Sequence, residues 1–151
     1  MNPKPLRIFV LADTHNRLPD KIRSMAEGAD EIWHLGDVCS PLLLAEIGTF
    51  GPPVSVVAGN CDDFGAWPFV LNLERNGTRF QLVHVPPADA PGDVDVLLHG
   101  HTHVPRNEVL GRVRFLNPGC VTRPNRGAPP SVAWLEINEH GAIDWRLLPL
   151  R

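Results

Sequence analysis

The stretch Leu6-Arg7-Ile8-Phe9-Val10-Leu11-Ala12-Asp13-Thr14-His15 decides the fold of this chain. Its apolar run contains no turn-forming residue and predicts a strand over Leu6–Ala12 that is buried on both faces. Two residues that can bind metal, Asp13 and His15, follow directly. They stand at the carboxyl end of the predicted strand, where ligand sites form in sheets with parallel strands.

The same order, an apolar run followed by a polar loop, recurs four times along the chain. The further predicted strands are Glu31–Leu35, Val54–Ala58, Arg79–Val83 and Val94–His99. The loops that follow them are Gly36-Asp37, Gly59-Asn60-Cys61-Asp62, His84 and Gly100-His101-Thr102-His103. Loops at strand ends can converge on one edge of a sheet. The pattern therefore predicts one site built from five loops.

The candidate ligands are oxygen and imidazole donors, and they suit borderline divalent ions. They are Asp13, His15, Asp37, Asn60, His84, His101 and His103. Seven donors are too many for one ion of modest coordination, so we expect two divalent metal ions per chain. Mn²⁺ is the expected ion, with Ni²⁺, Fe²⁺, Co²⁺ or Zn²⁺ as alternatives. The bridging ligand would be a carboxylate, because its two oxygens can contact two cations.

The spacing of two within Asp13-Thr14-His15 and within His101-Thr102-His103 also carries information. In an extended chain, residues two apart point to the same face, so each pair could offer two ligands to one side. Thiolate ligation is not expected, because the three cysteines lie far apart in sequence with no C-x-x-C pair.

Taken singly, most of these motifs have ordinary structural explanations. Asp13-Thr14-His15 suits a turn or a helix cap, and Gly36-Asp37 suits a turn after a strand. Asn60 tolerates a left-handed turn position, and His84 could simply be a partly buried histidine. The alternating histidines of Gly100-His101-Thr102-His103 are the hardest to explain by packing. The repeated placement at strand ends is what favours a functional site.

In this order the motifs D-x-H, G-D, G-N-x-D, H and G-H-x-H resemble the calcineurin-like metallophosphoesterase superfamily. The form Gly59-Asn60-Cys61-Asp62 and the later Asn117-Pro118-Gly119-Cys120 resemble its small bacterial and archaeal phosphodiesterase branch. The resemblance covers the chain from about Leu6 to at least Arg126. It implies a metal-dependent phosphoesterase that hydrolyses phosphodiesters by attack of a metal-bound hydroxide.

The resemblance also implies a division of the ligands between two ions. One ion would be held by Asp13, His15, Asp37 and His103. The other would be held by Asp37, Asn60, His84 and His101. Asp37 would be the bridge, and Asn60 would also hydrogen-bond a phosphate oxygen of the substrate.

Three positions depart from the family pattern. Val85 follows His84 where many relatives carry glycine, so the loop beyond His84 is expected to have a different shape. Larger relatives carry a histidine at the Cys61 position, where it protonates the leaving group. Without that acid, Asp62 or a metal-bound water is expected to take the catalytic role. Cys120 replaces the usual serine, a near-isosteric change that we expect the loop to tolerate.

The expected partner is a small phosphorylated substrate. Arg123 and Arg126 follow the N-P-G loop and could bind its phosphate through both guanidinium nitrogens, although most surface arginines are only solvated. The net charge of −3 gives no case for nucleic-acid binding. The loop 85–93, which follows His84, could shape the mouth of the pocket or be an ordinary surface loop.

No apolar stretch is long enough to cross a membrane. The run Ile8–Ala12 is also too short for a signal peptide, and Asp13 follows it directly. Dispersed cysteines and no targeting segment indicate a reducing compartment, so we expect a cytoplasmic protein. The sequence leaves the oligomeric state open.

The first third of the chain predicts alternating strands and helices, and the remainder predicts hairpins. Leu18, Ile22, Met25 and Ala26 have helical spacing, and a second helix is expected from Pro41 to Ile47 with Ser40 as its cap. Turns at Asn76-Gly77, Gly111-Arg112 and Gly141 predict three hairpins. Pattern alone gives one mixed α+β domain over residues 1–151. The resemblance makes it an αββα sandwich of two mixed sheets flanked by helices.

Two other functions deserve comparison with catalysis. The superfamily resemblance includes a eukaryotic vesicle-coat subunit of this fold that serves as a protein-interaction scaffold and lacks a complete ligand set. The complete set in this chain favours an enzyme over such a scaffold. A structural zinc domain is the weakest alternative, because those sites usually use several cysteines.

Overall fold

The computed structural model describes residues 4–63 and 65–151 and contains two five-stranded sheets and two helices. The elements of the first half are β1 (Leu6–Leu11), α1 (Lys21–Met25), β2 (Glu31–His34), α2 (Pro41–Gly48), β3 (Val54–Val56), β4 (Val70–Arg75) and β5 (Thr78–Val83). Those of the second half are β6 (Val96–Leu98), β7 (Arg106–Leu110), β8 (Val113–Asn117), β9 (Ser131–Ile137) and β10 (Ile143–Pro149).

The first sheet has the strand order β10-β9-β1-β2-β3. The β1 strand pairs in parallel with β2, and β2 pairs in parallel with β3, so the carboxyl ends of all three lie at one edge. On its other side β1 pairs antiparallel with β9, which pairs antiparallel with β10. The first three strands therefore deliver their loops to a common place.

The second sheet has the strand order β4-β5-β6-β8-β7. Its central strands β5, β6 and β8 run parallel, whereas the two edge strands β4 and β7 are antiparallel to their neighbours. The loops after β5 and β6 begin at His84 and after Leu98, so they also leave from carboxyl ends of parallel strands.

The two faces of β1 explain its unbroken apolar sequence. Ile8 and Val10 face the core between the sheets, where they meet residues such as Phe80 and Leu82 of β5. Phe9 and Leu11 face the other way, against the helices. All four side chains are fully buried. Burial of apolar surface on both sides of one strand is the main source of stability that joins the layers.

The second helix, α2, has a capped start, whereas α1 has no side-chain cap. The Ser40 backbone is extended and its hydroxyl accepts a hydrogen bond from the Leu42 N–H at 3.2 Å, while Pro41 occupies the first turn. Ile22 of α1 and Leu43 and Ile47 of α2 are buried against the outer face of the first sheet.

The predicted α+β sandwich of two mixed sheets is confirmed, and so are the three hairpins. Within residues 4–63 and 65–151, both helices connect strands of the first sheet. The outer face of the second sheet is covered by a smaller apolar cluster that includes Val94, Leu97 and Phe115, with Ala90 of the connecting loop packed on it. Among the described residues, no helix is long and apolar enough to span a membrane.

Candidate metal centre

Five loops meet at the edge where the parallel strands of both sheets end. Backbone hydrogen bonds join the loops directly: the Asp13 N–H donates to the Gly36 carbonyl at 3.0 Å, and the His15 N–H donates to the Asp37 carbonyl at 2.9 Å. Across the second sheet, the Gly100 N–H donates to the His84 carbonyl at 3.1 Å. These bonds set the relative positions of the ligand side chains.

The Asp13 carboxylate lies at the centre of the cluster and is fully buried. Its Oδ1 is 3.4 Å from His103 Nε2, 3.7 Å from His15 Nε2 and 3.8 Å from His84 Nε2. Oδ1 is nevertheless a buried atom with no hydrogen-bond partner among residues 4–63 and 65–151. Since an unpartnered buried carboxylate oxygen costs free energy, this atom indicates a missing positive charge.

The imidazole orientations explain why Asp13 Oδ1 has no donor. His84 Nδ1 is 2.8 Å from the Leu35 carbonyl, and His103 Nδ1 is 2.6 Å from the Arg123 carbonyl. A carbonyl can only accept, so Nδ1 carries a proton on each ring, and on the neutral imidazole Nε2 presents a lone pair to the cluster. This is the arrangement in which backbone carbonyls orient histidines as metal ligands.

Asn60 shows the same excess of acceptors. With its NH₂ turned inward, the amide donates to Asp37 Oδ1 at 3.2 Å, to Asp37 Oδ2 at 3.3 Å and to His84 Nε2 at 3.0 Å. With its oxygen turned inward, those three acceptors surround a fourth, an arrangement that a cation would satisfy. The side chain is thus placed to serve as a metal ligand through its oxygen.

The geometry fits two neighbouring cation positions. One ligand atom from each of Asp13, His15, Asp37 and His103 lies within 4.8 Å of the others, and these are the residues expected for one ion. For the other ion, Asp37 Oδ2 lies 3.2 Å from His84 Nε2, and Asn60 contacts both residues. The His101 ring lies 5.2 Å from the His84 ring, centre to centre. All seven predicted ligands therefore meet at this edge.

The ligand loops are not extended, contrary to the spacing argument for the pairs two residues apart. Asp13, His15, Asp37, His101 and His103 all have φ between 47° and 72°. Residues in this left-handed region turn the chain sharply, and the sharp turns, rather than strand alternation, bring both members of each pair to the site. Strained backbone of this kind concentrates at functional sites, where the surrounding structure holds it in place.

Two glycines allow the loops to approach this closely. A Cβ on Gly59 would overlap the backbone nitrogen and the carboxylate of Asp37. Gly36 has φ of +99°, and a Cβ there would come within 2.7 Å of His84 Nδ1. The glycines before Asp37 and Asn60 are therefore needed for close contact between these loops.

Asp62 lies beneath the site and joins two loops, those that follow β2 and β3. Its carboxylate accepts hydrogen bonds from the backbone N–H groups of Asp37 at 2.9 Å, Cys39 at 2.8 Å and Gly59 at 2.7 Å. These bonds favour a role in positioning the Asp37 and Asn60 loops. A proton-donating role for Asp62 stays a prediction.

Cys39 and Cys61 form a disulfide bond across the mouth of the same loops, with Cα atoms 5.6 Å apart. The two cysteines are 22 residues apart in sequence, so no local motif predicts this pairing. Both sulfur atoms are 3.9 Å from His15 Nδ1. A bonded Cys61 has no S–H, so in this form it cannot protonate a leaving group.

Two further polar residues support the ligand loops, as the placement of His34 at a strand end had suggested for that residue. His34 is buried and joins two ligand loops: its Nδ1 accepts from the Gly36 N–H at 3.1 Å, and its Nε2 is 3.0 Å from the Thr14 hydroxyl. The Asn117 amide donates to the Gly100 carbonyl at 3.2 Å and to Thr102 at 3.1 Å. The N-P-G motif was the available signal for Asn117.

The electrostatics of the two carboxylates differ. Burial raises the pKa of Asp13 to about 6, against the attraction of the His84 and His103 imidazoles. Burial would also raise the pKa of Asp37, but in the metal-free protein hydrogen bonds from the charged His84 imidazolium and from the Cys61 N–H outweigh it and lower that pKa to about 2. Asp37 is therefore ready to hold cations as an anion, whereas Asp13 holds a proton in mildly acidic solution until a cation displaces it.

The two predicted substrate arginines lie on the exposed rim. The Arg123 carbonyl orients His103, and the positive charge of Arg123 lowers the pKa of His15 after the larger effect of burial. Arg126 lines a groove of about 620 Å³ together with His99 and His101. Both side chains are near the cluster, and contact with substrate stays a prediction for each.

With the geometry established, comparison with known proteins identifies the class. Residues 6–140 match the calcineurin-like phosphoesterase superfamily domain. The chain belongs to the calcineurin-like phosphoesterase superfamily, which confirms the resemblance read from the motifs.

Curated relatives place the chain in the small prokaryotic branch. It is 34% identical to a probable metallophosphoesterase of Methanothermobacter thermautotrophicus, over 87% of this chain and 86% of the relative. It is 30% identical to phosphodiesterase YfcE of Escherichia coli, over 87% of this chain and 88% of that protein.

Solved structures show the same fold. The Escherichia coli YfcE phosphoesterase superposes with a TM-score of 0.73 at 23% identity, covering 96% of this chain and all of the other. Vacuolar Protein Sorting 29 of Cryptosporidium parvum gives a TM-score of 0.77 at 21% identity, covering 97% and 98%.

Proposed function

We propose that this protein is a phosphodiesterase that depends on two divalent metal ions. Its phosphoesterase family and its relatives support the reaction class. The observation that carries the metal requirement is the buried Asp13 Oδ1, which faces three imidazole Nε2 atoms and has no hydrogen-bond donor in the described part of the chain. Mn²⁺ is the proposed ion, since the mixed carboxylate and imidazole donors suit it, with Ni²⁺, Fe²⁺, Co²⁺ and Zn²⁺ as alternatives.

The residues divide as the resemblance implies. Asp13, His15, Asp37 and His103 would hold one ion, and Asp37, Asn60, His84 and His101 would hold the other. When bound, the ions would acidify water and neutralise charge on the phosphoryl oxygens. In the metal-free protein Asp37 is an anion over a wider pH range than Asp13, because its pKa is held at about 2 and that of Asp13 is raised to about 6.

The chain's own groups would orient the substrate. The Asn60 amide can direct its oxygen to a cation while its NH₂ donates to a phosphate oxygen. Arg126, which lines the same groove as His101, can add a charge-assisted hydrogen bond to the same phosphate. Two carbonyls, of Leu35 and Arg123, keep His84 and His103 aimed inward while the substrate binds.

The test is reconstitution of chelator-treated protein with each ion in turn. Activity is measured on an aryl phosphodiester, the matching monoester and a cyclic nucleotide, and bound ions are counted by elemental analysis. We expect two ions per chain and faster diester than monoester cleavage. Reconstituted protein that carries two ions and cleaves no phosphoester would refute the proposal.

A non-catalytic scaffold is the second candidate, favoured by the fold it shares with Vacuolar Protein Sorting 29. It predicts that loss of the ligands leaves the protein's function intact. The convergence of all seven ligands on one edge is unexplained by that function, so we rank catalysis first.

We propose a small phosphorylated substrate as the partner. The net charge of −3 favours neither nucleic acid nor an anionic membrane surface. The cytoplasm stays the proposed location. The Cys39–Cys61 disulfide is an observation against it, because structural disulfides are rare in reducing compartments. Thiol titration of protein isolated under acid quench is the test. Free Cys39 and Cys61 thiols would support the cytoplasm, and a disulfide would support an oxidising compartment.

A further inference from the structure

A small cavity of about 270 Å³ opens directly onto one side of the metal centre. Its inner wall is formed by Asn60 and His84, two of the residues that would hold the second ion. The remaining lining residues come from the loop after β3, from the chain at the start of β4 and from the chain at the end of β5. They are Ala58, Gly59, Phe69, Val70, Val83 and Val85. A ligand held at that ion would therefore have this cavity beside it.

The outer wall of the cavity is apolar and exposed to water. Phe69 is 52% exposed, Val70 46% and Val85 55%. These are three of the seven large apolar side chains that are exposed among the described residues, and they lie on adjoining strand ends. A group of exposed apolar side chains at the edge of a polar site is typical of a surface that binds an apolar ligand.

The chemistry of the cavity differs from that of the groove on the other side of the site. Its eight lining residues include no Asp, Glu, Lys or Arg. The groove beside His101 is instead lined by Arg106, Glu108 and Arg126. The centre thus has one apolar and one charged flank. An uncharged group is the better match for the apolar flank, because a charge placed there would lose water without gaining a partner.

The size of the cavity limits what it can hold. Binding pockets for drug-sized molecules span roughly 300–1,000 Å³, so a cavity of about 270 Å³ suits a smaller group such as a single ring. A phosphodiester has two organic groups, and one of them can lie here while the phosphoryl oxygens face the metal ligands. A phosphomonoester has only one such group and a second charged oxygen.

We propose that this cavity is the subsite for one uncharged organic group of the substrate, and that it selects diesters in which that group is a single aromatic ring. The proposal deepens the phosphodiesterase function and depends on it. Val85 is the main selecting residue, because it follows the ligand His84 directly and contributes the most exposed of the three apolar side chains.

The test uses phenylphosphonate and methylphosphonate, which contain a C–P bond and are not hydrolysed. Their dissociation constants are measured by calorimetry on protein loaded with Mn²⁺, for the natural sequence and for Val85→Ser and Val70→Ser. Val85 lies outside the left-handed backbone region, so serine fits there without strain. The control is Val109→Ser, since Val109 is 64% exposed on β7, the opposite edge strand of the same sheet.

We expect phenylphosphonate to bind about tenfold more tightly than methylphosphonate to the natural protein, since a buried ring removes much more apolar area from water. Val85→Ser should reduce that ratio about threefold or more, and Val109→Ser should leave it unchanged. An unchanged ratio in both Val85→Ser and Val70→Ser, with melting temperatures near that of the natural protein, would overturn the subsite. Because this readout needs no turnover, a protein that shows the ratio yet cleaves no diester would refute the phosphodiesterase function alone.

Discussion

His84 Nε2 lies 3.2 Å from Asp37 Oδ2, although the two residues lie on loops that leave different sheets. Asp37 follows β2 of the first sheet, and His84 follows β5 of the second. This contact joins the proposed bridging carboxylate to a ligand of the second ion. It also explains why the pKa of Asp37 is low although its side chain is buried.

Removing the charge of Asp37 should abolish most activity. Asp37→Asn keeps the shape of the side chain but removes the bridging anion, so we expect a loss of at least about 100-fold in kcat/KM and fewer than two ions per chain. His140→Ala is the control, because His140 is exposed in the turn between β9 and β10. Equal activity of the two variants would rule out a bridging role for Asp37.

The ionisation of Asp13 should make the metal-free protein less stable above pH 6. The pKa of Asp13 is about 6 in the folded state and 3.8 in the reference state, so the folded protein holds the proton more tightly. The stability from that proton is complete below pH 4 and is lost as the pH rises through 6. The difference corresponds to about 3 kcal/mol of unfolding free energy.

The free energy of unfolding of metal-free Asp13→Asn should therefore gain on that of the natural protein between pH 5 and pH 8. The same change should prevent metal binding at that position. Urea unfolding of both proteins at the two pH values, with chelator present, measures the effect. Asp37 has the opposite sign, since its lowered pKa stabilises the protein above about pH 4. A variant whose advantage over the natural sequence is the same at pH 5 and pH 8 would contradict the assignment to Asp13.

Reduction of the Cys39–Cys61 disulfide should lower stability by about 3 kcal/mol, as expected for a closed loop of this length. The measurement is the urea midpoint with and without a thiol reductant. The double variant Cys39→Ser and Cys61→Ser is the control and should not respond to the reductant. A reductant effect of equal size in the double variant would mean that the disulfide is not its source.

Arg126→Ala should raise KM about fivefold and leave kcat almost unchanged, because an exposed guanidinium on the groove wall contributes a modest charge-assisted hydrogen bond. Arg112→Ala is the matched control, since Arg112 is exposed in the turn between β7 and β8. Steady-state kinetics on one aryl diester would show the difference. An equal rise in KM for both variants would mean that the effect comes from the loss of net positive charge and not from a contact between Arg126 and the substrate.

The rate should depend strongly on the acidity of the leaving group. Cys61 is bonded to Cys39 and has no S–H, and the backbone hydrogen bonds to both oxygens of Asp62 favour a positioning role for that residue. An aryloxide leaves readily without protonation, whereas an alkoxide does not. We expect kcat to fall at least tenfold from a nitrophenyl to a simple alkyl diester. Equal kcat values, with chemistry rate-limiting, would reveal an acid elsewhere.

Much of the site could be predicted from sequence because strand ends and ligand types are local signals. The apolar run before Asp13 and the glycines before Asp37, Asn60 and His101 identified loops that do meet. The prediction that Asp13 and His15 face the same site agrees with the structure. The extended backbone assumed for it is wrong, since both residues have a left-handed backbone conformation.

Features that depend on contacts between distant segments escaped prediction. The disulfide requires the loops after β2 and β3 to come together, and no local pattern in Cys39 or Cys61 records that approach. The same holds for the hydrogen bonds that Asp62 accepts from Asp37 and Cys39, 25 and 23 residues away. Sequence patterns specify elements well, but tertiary contacts decide what a polar side chain between them does.

The division of the ligands between the sheets has a consequence for how the protein can change. Four candidate ligands leave the first sheet and three leave the second, so neither layer holds a complete ion site by itself. Any slippage of one layer against the other, even by about 1 Å, would spoil both coordination spheres at once. The rings of Trp33 and Phe80 meet edge to face in the core between the sheets, with centroids 5.4 Å apart. Such contacts fix the distance between the sheets and therefore the relative positions of the ligands at the edge. Substitutions in this core should therefore lower metal affinity at a smaller displacement than the one that unfolds the protein.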